Sequence, residues 1–235
     1  MIPEKYMPLH RRLLFVVLTF LAIALAGLGF ALTFGDGESV RLVHYATWTQ
    51  EHDAFLRAFT DLGLYPFYFL FLALYAWGYY REEAGLRLLA GGYLLSQIIA
   101  SVLIVRSIKI LLGRARPDST SLPDFGSEWV GFSWDAAHHS FPSGHTGDIV
   151  VSALFATLLF RSPWMAGISI LWAVALGLSR LALAEHYPSD ALASTAIALS
   201  VSVLVVRYWL LPRLSRVKQW SAPLWWWQSA EKHNG

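Results

Sequence analysis

His186 lies in the segment Ser179–Asp190, six residues after Arg180 and four residues before Asp190. A guanidinium can hold a phosphate, an imidazole can attack phosphorus, and a carboxylate can orient the imidazole. Pro188 suits the first position of a helix, so Asp190 is expected in the first turn of that helix. Two simpler interpretations stay open, an arginine that reaches the lipid head groups and an acid that favours the helix dipole. The segment gains a chemical meaning only if further polar residues come close to it.

A second polar stretch, Phe141-Pro142-Ser143-Gly144-His145-Thr146, stands directly before an apolar run. Ser143 is a plausible N-cap, and the amino end of a helix offers free backbone N–H groups to an anion. Gly144 allows the backbone to approach a ligand closely, and His145 is expected to stand over the site. The alternative is a turn that starts a helix and carries an interfacial histidine.

The third stretch runs from Lys109 to Pro117 and ends in Arg116-Pro117. Lys109 and Arg116 are seven residues apart, so they share one side of a helix that continues that far. Pro117 disfavours a helical conformation at Arg116, and the helix is expected to end just before it. The alternative is a pair of cations that extend to a lipid head-group layer.

The composition is typical of an integral membrane protein. Of 235 residues, 56% are hydrophobic and 14% are charged, whereas soluble domains carry roughly 25% charged residues. Mean hydropathy is +0.47. The chain has no cysteine, which excludes disulfides and thiolate metal sites. A formal charge of +2 gives no reason to expect a nucleic acid partner.

Apolar runs predict an all-α polytopic membrane protein with six transmembrane helices in one bundle. The predicted spans are 13–34, 62–80, 86–112, 146–160, 164–183 and 188–211. The first run follows basic residues, as a signal peptide would, but it is longer than the apolar core of a signal peptide and is expected to be retained. The whole chain, 1–235, is predicted to be a single six-helix domain with a polar loop at about 113–145.

Six spans place both termini on one side of the membrane. More Lys and Arg lie on that side than in the opposite loops, which predicts cytoplasmic termini. The third and fifth spans then end, and the fourth and sixth begin, at the extracytoplasmic face. The polar residues brought to this face are Lys109, Arg116, Ser143, Gly144, His145, Arg180, His186 and Asp190. Such a cluster at a membrane is costly without a function, and it suits a bound phosphate, a nucleophile and a general acid.

The three motifs together resemble the type 2 phosphatidic acid phosphatase superfamily. They read Lys, six residues, Arg-Pro; then Pro-Ser-Gly-His; then Ser-Arg, five residues, His, three residues, Asp, within residues 109–190. The superfamily includes membrane lipid phosphatases and soluble vanadium haloperoxidases, and six apolar spans favour the membrane branch. The order and the spacing are intact at every signature position.

This resemblance implies a role for each residue. His186 attacks phosphorus and forms a phosphohistidine, Asp190 orients the imidazole and stabilises its charge, and His145 protonates the leaving oxygen and then activates water. The phosphoryl oxygens are held by Lys109, Arg116, Ser143, the Gly144 amide and Arg180. The resemblance implies that the reaction needs no metal and no other cofactor.

The predicted function is hydrolysis of a lipid phosphate or diphosphate at the outer face of the cytoplasmic (inner) membrane. Candidate substrates are undecaprenyl diphosphate, phosphatidylglycerol phosphate, phosphatidic acid and the phosphates of lipid A. Alternatives are a lipid phosphotransferase and a non-catalytic transporter or lipid-binding bundle. His138 and His139 are interpreted as loop histidines or as contacts to a substrate head group. Asp148 is interpreted as an acid at a helix start or as a group that tunes His145.

Overall fold

The computed structural model describes residues 7–119, 125–160 and 162–217, and these are largely helical. Its α-helices are α1 Met7–Phe34, α2 Asp36–His44, α3 Thr47–Glu51, α4 Asp53–Leu62, α5 Tyr65–Tyr80, α6 Ala84–Gln97, α7 Arg106–Leu112, α8 Gly144–Leu159, α9 Pro163–Ala182, α10 Pro188–Leu204 and α11 Leu211–Leu214. Two π-helical segments, Ile98–Val105 and Val205–Leu210, connect α6 to α7 and α10 to α11. The described part contains an isolated β-bridge between Arg114 and Trp129 and no strand. The all-α prediction is confirmed.

Five helical segments among the described residues are long and apolar enough to cross a membrane. They are Leu9–Phe34, Asp53–Tyr80, Ala84–Leu112, Pro163–Ala182 and Pro188–Leu214. The predicted span at 146–160 corresponds to α8, which has 16 residues. A helix of that length is about 24 Å long, which is less than the roughly 30 Å of a hydrocarbon core. The structure thus indicates an integral membrane protein with five long spans, and six spans are not confirmed.

Helix α8 forms the centre of the bundle and packs against α1, α6, α9 and α10. From Ile149 to Leu159 every residue is buried, so the helix is enclosed on all sides by other helices. Phe155 packs edge-on against the rings of Phe71 and Tyr93. At the other end of α8, the guanidinium of Arg12 donates a hydrogen bond of 2.9 Å to the carbonyl of Phe160. This central position gives the amino end of α8 a fixed place relative to its neighbours.

The segment between the first two spans is largely helical. Residues 35–60 are polar and mixed, yet they form α2, α3 and most of α4. Helix α4 then leads into α5 through Gly63 and Leu64, so the second apolar span starts at Asp53 rather than near residue 62. Helix α2 packs against α9 and α10 and covers one side of the face where these two helices meet.

The ends of four helices meet at that face: α7 ends at Leu112, α8 begins at Gly144, α9 ends at Ala182 and α10 begins at Pro188. The helix that carries Lys109 ends four residues before Arg116, so the expectation that it ends just before Arg116 was wrong. Gly113 stops it in a left-handed conformation with φ of 55°. A side chain there would place Cβ 1.9 Å from the carbonyl oxygen of Gly131, so only glycine fits this turn.

Candidate active site

His186 lies in the short connection between α9 and α10, and 1% of its surface is exposed. Its Nδ1 faces Asp190, at 3.6 Å from Oδ2. Pro188 begins α10 and places Asp190 in the first turn, as the sequence predicts. Within the described ranges, Nδ1 has no partner at full hydrogen-bonding distance. The ring therefore turns one nitrogen toward the carboxylate, and Nε2 is the nitrogen left for a ligand.

Burial lowers the pKa of His186 to about 3, against the raising effect of the neighbouring Asp190 carboxylate. The ordinary pKa of histidine is about 6.5, so the imidazole of His186 is neutral at pH 7. A neutral imidazole carries a lone pair on one ring nitrogen, which is the state that a nucleophile needs.

Asp190 is fully buried and accepts hydrogen bonds from three residues, two of which lie on other segments of the chain. Its Oδ1 accepts a hydrogen bond of 2.5 Å from Nη1 of Arg114. Its Oδ2 accepts from the hydroxyl of Ser140 at 2.6 Å and from the backbone N–H of Tyr187 at 2.9 Å. A buried carboxylate is stable only with such partners, and together they fix the position of Asp190 beside His186.

Arg114 is almost completely buried and connects Asp190 to the start of α2. Its Nη2 donates to Oδ2 of Asp36 at 2.9 Å, and its Nη1 also donates to the hydroxyl of Ser189 at 2.7 Å. The guanidinium lies 3.8 Å from the centroid of the Tyr187 ring. Two carboxylates therefore compensate one buried cation, and this arrangement joins the loop after α7 to α2 and α10.

Lys109 reaches across the amino end of α8. Its Nζ donates to the carbonyl of His139 at 2.5 Å. A Cβ added to Gly144 would lie 3.9 Å from Cε of Lys109. His145 follows in the first turn of α8 and is half-buried. The ammonium group and the helix amino end together make this region electropositive, which suits an anion.

Arg116 and Arg180 meet at one carboxylate. Nη1 of Arg116 donates to Oε2 of Glu185 at 2.7 Å, and Nη2 of Arg180 donates to the same oxygen. The other terminal nitrogen of Arg180 donates to the hydroxyl of Thr60 on α4 at 3.2 Å. The two arginines predicted to hold a phosphate are thus brought together, with an acidic side chain between them.

Ser143 occupies the N-cap position of α8, as predicted, but its hydroxyl makes no hydrogen bond to the helix backbone. The side chain is fully buried, and Oγ lies 2.9 Å from Oγ1 of Thr146. The backbone N–H of Ser143 donates to the carbonyl of Asp190 at 3.1 Å. Ser143 therefore joins α8 to α10, and the phosphate-binding role of its hydroxyl stays a prediction.

The sequence model of the PAP2 superfamily matches residues 85–213, which include every predicted site residue from Lys109 to Asp190. The chain belongs to the PAP2 superfamily. The membership predicted from the three motifs is therefore confirmed.

Three curated relatives are about one-third identical to this chain over the segments that align. A lipid A 1-phosphatase of Rhizobium etli is 35% identical over 130 residues, which are 53% of this chain and 54% of the relative. A lipid A 1-phosphatase of Rhizobium johnstonii is 36% identical over 115 residues, 48% of this chain and 46% of the relative. A lipid A 4'-phosphatase of Bacteroides thetaiotaomicron is 31% identical over 90 residues, 38% of this chain and 40% of the relative. The chain spans about half the length of the first two relatives and 40% of the third. No solved structure matches it.

Two charged side chains at this PAP2 site escaped the sequence interpretation. Arg114 lies two residues before Arg116, and nothing in the order Gly113-Arg114-Ala115-Arg116 tells which arginine turns inward. Glu185 directly precedes His186, and that adjacency was the signal available for it. Both become recognisable only when the folded loops place them against Asp190 and against the two other arginines.

The three residues of open role also have definite places in this PAP2 domain. His138 and His139 are half-buried, and Nε2 of His139 lies 3.0 Å from the carbonyl oxygen of Ser133. Asp148 lies beyond the first turn of α8, so its interpretation as an acid at the helix start was wrong. Its carboxylate accepts from the hydroxyl of Tyr68 at 2.7 Å and from the hydroxyl of Ser101. Within the described ranges, no three His, Asp or Glu side chains are grouped as metal ligands would be.

Proposed function

We propose that this chain is a membrane lipid phosphatase that works through a phosphohistidine on His186. The proposal rests above all on the buried pair of His186 and Asp190, which lies in the same helix-end cluster as four cations and a second histidine. The relatives named above as phosphatases and the membership of the PAP2 superfamily support the same reaction class.

In the first step, Nε2 of His186 attacks phosphorus and the bond from phosphorus to the lipid oxygen breaks. The negative charge of the bound phosphate favours the protonated form of His145, which donates its proton to that oxygen, and the dephosphorylated lipid leaves. Nδ1 of His186 carries a proton toward Asp190, which stabilises the positive charge that develops on the ring. Because the folded protein holds His186 neutral, no proton has to be removed before the attack.

In the second step, a water oxygen attacks phosphorus and the bond to Nε2 breaks. His145, now neutral, accepts a proton from this water, and inorganic phosphate is released. The nonbridging oxygens carry the charge of both transition states, and preorganised cations stabilise it. We assign this stabilisation to Lys109, Arg116, Arg180 and the backbone N–H groups around Gly144. The Ser143 hydroxyl can accept a hydrogen bond from Thr146 and still donate its own proton to a phosphoryl oxygen, so we keep Ser143 among the phosphate ligands, held in place by its backbone N–H on Asp190.

The substrate that we propose is lipid A or a related lipid that carries a phosphate monoester. Two relatives of about 35% identity are named lipid A 1-phosphatase, and a third is named lipid A 4'-phosphatase. Undecaprenyl diphosphate and phosphatidylglycerol phosphate, which the resemblance to the superfamily favoured, have no named relative in their support. These two lipids and phosphatidic acid are included in the substrate panel of the test below.

We also propose that α8 is the sixth span and that residues 1–235 form one membrane domain. The helix is shorter than its neighbours, but they enclose it along its length. The excess of basic residues on the side of the termini supports cytoplasmic termini and an active site on the extracytoplasmic side of the inner membrane.

The test is release of inorganic phosphate from a lipid panel by purified protein in detergent, with EDTA present. The panel contains lipid A with a 1-phosphate, lipid A with a 4'-phosphate, undecaprenyl diphosphate, phosphatidylglycerol phosphate and phosphatidic acid. We expect turnover that is highest with lipid A and is lost in His186→Asn. Release from another lipid alone would correct the substrate, transfer to an acceptor lipid without free phosphate would favour a phosphotransferase, and no reaction with any lipid would contradict the proposal.

A further inference from the structure

A groove of about 650 Å³ opens on the surface of the bundle between α5, α6 and the π-helical segment before α11. Its position is far from the candidate active site. Arg87 at one end of the groove lies 22 residues before Lys109 on the continuous helical segment Ala84–Leu112. At 1.5 Å per residue these two side chains start about 33 Å apart along the axis, so Arg87 is at the opposite face of the membrane.

The groove has the length and the lining of a site for a hydrocarbon chain. Along α6 it extends from Ala84 to Ile98, which is about 21 Å and more than half of a hydrocarbon core. Tyr75 and Trp209 form the two walls, and Gly91 forms part of the floor. A Cβ on Gly91 would lie 3.3 Å from the Trp209 ring and 3.6 Å from the Tyr75 ring. Because glycine has no side chain, the space between the two rings stays open.

Polar groups are concentrated at the end of the groove that faces the membrane surface. The guanidinium of Arg87 lies 5.1 Å from the centroid of the Tyr79 ring. The hydroxyls of Tyr75 and Tyr79 are 3.4 Å apart. In residues 7–119, 125–160 and 162–217, no carboxylate forms an ion pair with Arg87. Arg87 thus has no ion-pair partner among these residues, at the place where lipid phosphates lie.

We propose that this groove binds one anionic phospholipid of the leaflet opposite the active site. The head-group phosphate accepts hydrogen bonds from Arg87 and from the tyrosine hydroxyls, and one acyl chain lies between Tyr75 and Trp209 toward Ile98. Basic pockets between transmembrane helices bind such head groups, and the charge and the shape of the groove agree with that chemistry. The bound lipid joins α5, α6 and the last span, and it is distinct from any lipid that is hydrolysed.

Arg81 provides a matched control for Arg87. Both are arginines at the same end of the bundle, and both lie over an aromatic ring, Arg81 at 5.7 Å from the Trp77 centroid. Arg81 is exposed and does not line the groove. If Arg87 simply extended to the head-group layer, replacement of either arginine would change lipid binding to the same degree.

The experiment is native mass spectrometry of the full chain in mild detergent, titrated with phosphatidylglycerol or with phosphatidylcholine of identical acyl chains. The wild type is expected to retain one phosphatidylglycerol in preference to phosphatidylcholine. Arg87→Gln should weaken phosphatidylglycerol binding about fivefold, which corresponds to one basic contact, whereas Arg87→Lys keeps most of it and Arg81→Gln stays within about twofold of the wild type.

Equal effects of Arg87→Gln and Arg81→Gln, or equal binding of the two lipids by the wild type, would overturn the proposal. Thermal unfolding of each variant, measured without added lipid, separates loss of the site from loss of the fold. Phosphate release from the substrate panel is measured in parallel. Phosphate release should not depend on Arg87. The lipid-binding proposal and the proposed phosphatase function can therefore be contradicted independently of each other.

Discussion

Arg114 donates a hydrogen bond of 2.5 Å to the carboxylate of Asp190 in a region from which solvent is almost completely excluded. The pair connects the loop after α7 to the first turn of α10, the turn that faces His186. A second carboxylate, Asp36, shares the same guanidinium and extends the connection to α2. The Asp190 carboxylate is therefore fixed by Arg114, which lies outside the segment Ser179–Asp190.

Arg114→Gln should impair both turnover and stability. Removing one partner of a buried ion pair leaves an uncompensated charge, which costs about 3–5 kcal/mol. We expect a clear fall in the midpoint of thermal unfolding and at least a tenfold loss of kcat, because Asp190 no longer faces His186 in a fixed position. Arg106→Gln is the control, since Arg106 is exposed on α7. Equal behaviour of the two variants in both measurements would exclude the positioning role of Arg114.

His186 should stay neutral well below the pH at which histidine ordinarily titrates. The pKa of His186 is about 3 in the folded protein and about 6.5 in the unfolded chain, so between these pH values His186 binds a proton only in the unfolded chain. The contribution of His186 to the free energy of unfolding therefore falls as pH drops from about 6.5 toward 3. NMR of protein labelled with ¹⁵N-histidine, assigned with His186→Asn, should show a neutral ring at pH 5. A titration midpoint near 6.5 would mean that the ring is not shielded from water.

Glu185 should compete with phosphate for the two arginines that it bridges. One oxygen of its carboxylate accepts from both Arg116 and Arg180, the groups proposed to bind the phosphoryl oxygens. Glu185→Gln removes this negative charge, so the Ki of inorganic phosphate as a product inhibitor should fall about fivefold. Glu38→Gln, which alters an exposed pair with Arg41, is the control. A higher Ki in Glu185→Gln would show instead that the carboxylate holds the arginines in the binding geometry.

Much of this site follows from local rules. Pro188 begins a helix, so Asp190 falls one turn beyond His186, and the alternation of the spans brings Lys109, His145 and Arg180 to one face. These relations depend on spacing along one helix or on the direction of successive helices, and sequence carries both.

Tertiary contacts decide the remaining features. The left-handed turn at Gly113 sends Arg114 inward, and the N–H of Gly131, far along the chain, donates to the carbonyl of Leu112 beside that turn. The short length of α8 is tolerated because its neighbours surround it. A single sequence contains no local signal for any of these contacts.

The hydrogen bond from Tyr68 to Asp148 should contribute to stability, since it joins α5 to α8 across the core of the bundle. Hydrogen bonds between membrane helices are worth about 0.6 kcal/mol on average and up to about 1.7 kcal/mol. Tyr68→Phe should therefore lower the midpoint of thermal unfolding in detergent by about 1–5 °C. Tyr65→Phe, on the exposed side of the same helix, should change it by less. The same small change in both variants would mean that Asp148 does not depend on Tyr68.

The central claim is that His186 carries the phosphoryl group during turnover. Wild-type protein is mixed with lipid A, quenched in alkali within a turnover and digested for mass spectrometry, because a phosphohistidine survives alkali. We predict a phosphoryl group on the peptide that contains His186, and loss of both this group and phosphate release in His186→Asn. Phosphate release by His186→Asn at more than about a tenth of the wild-type rate would contradict the mechanism, since loss of a nucleophile removes far more than tenfold.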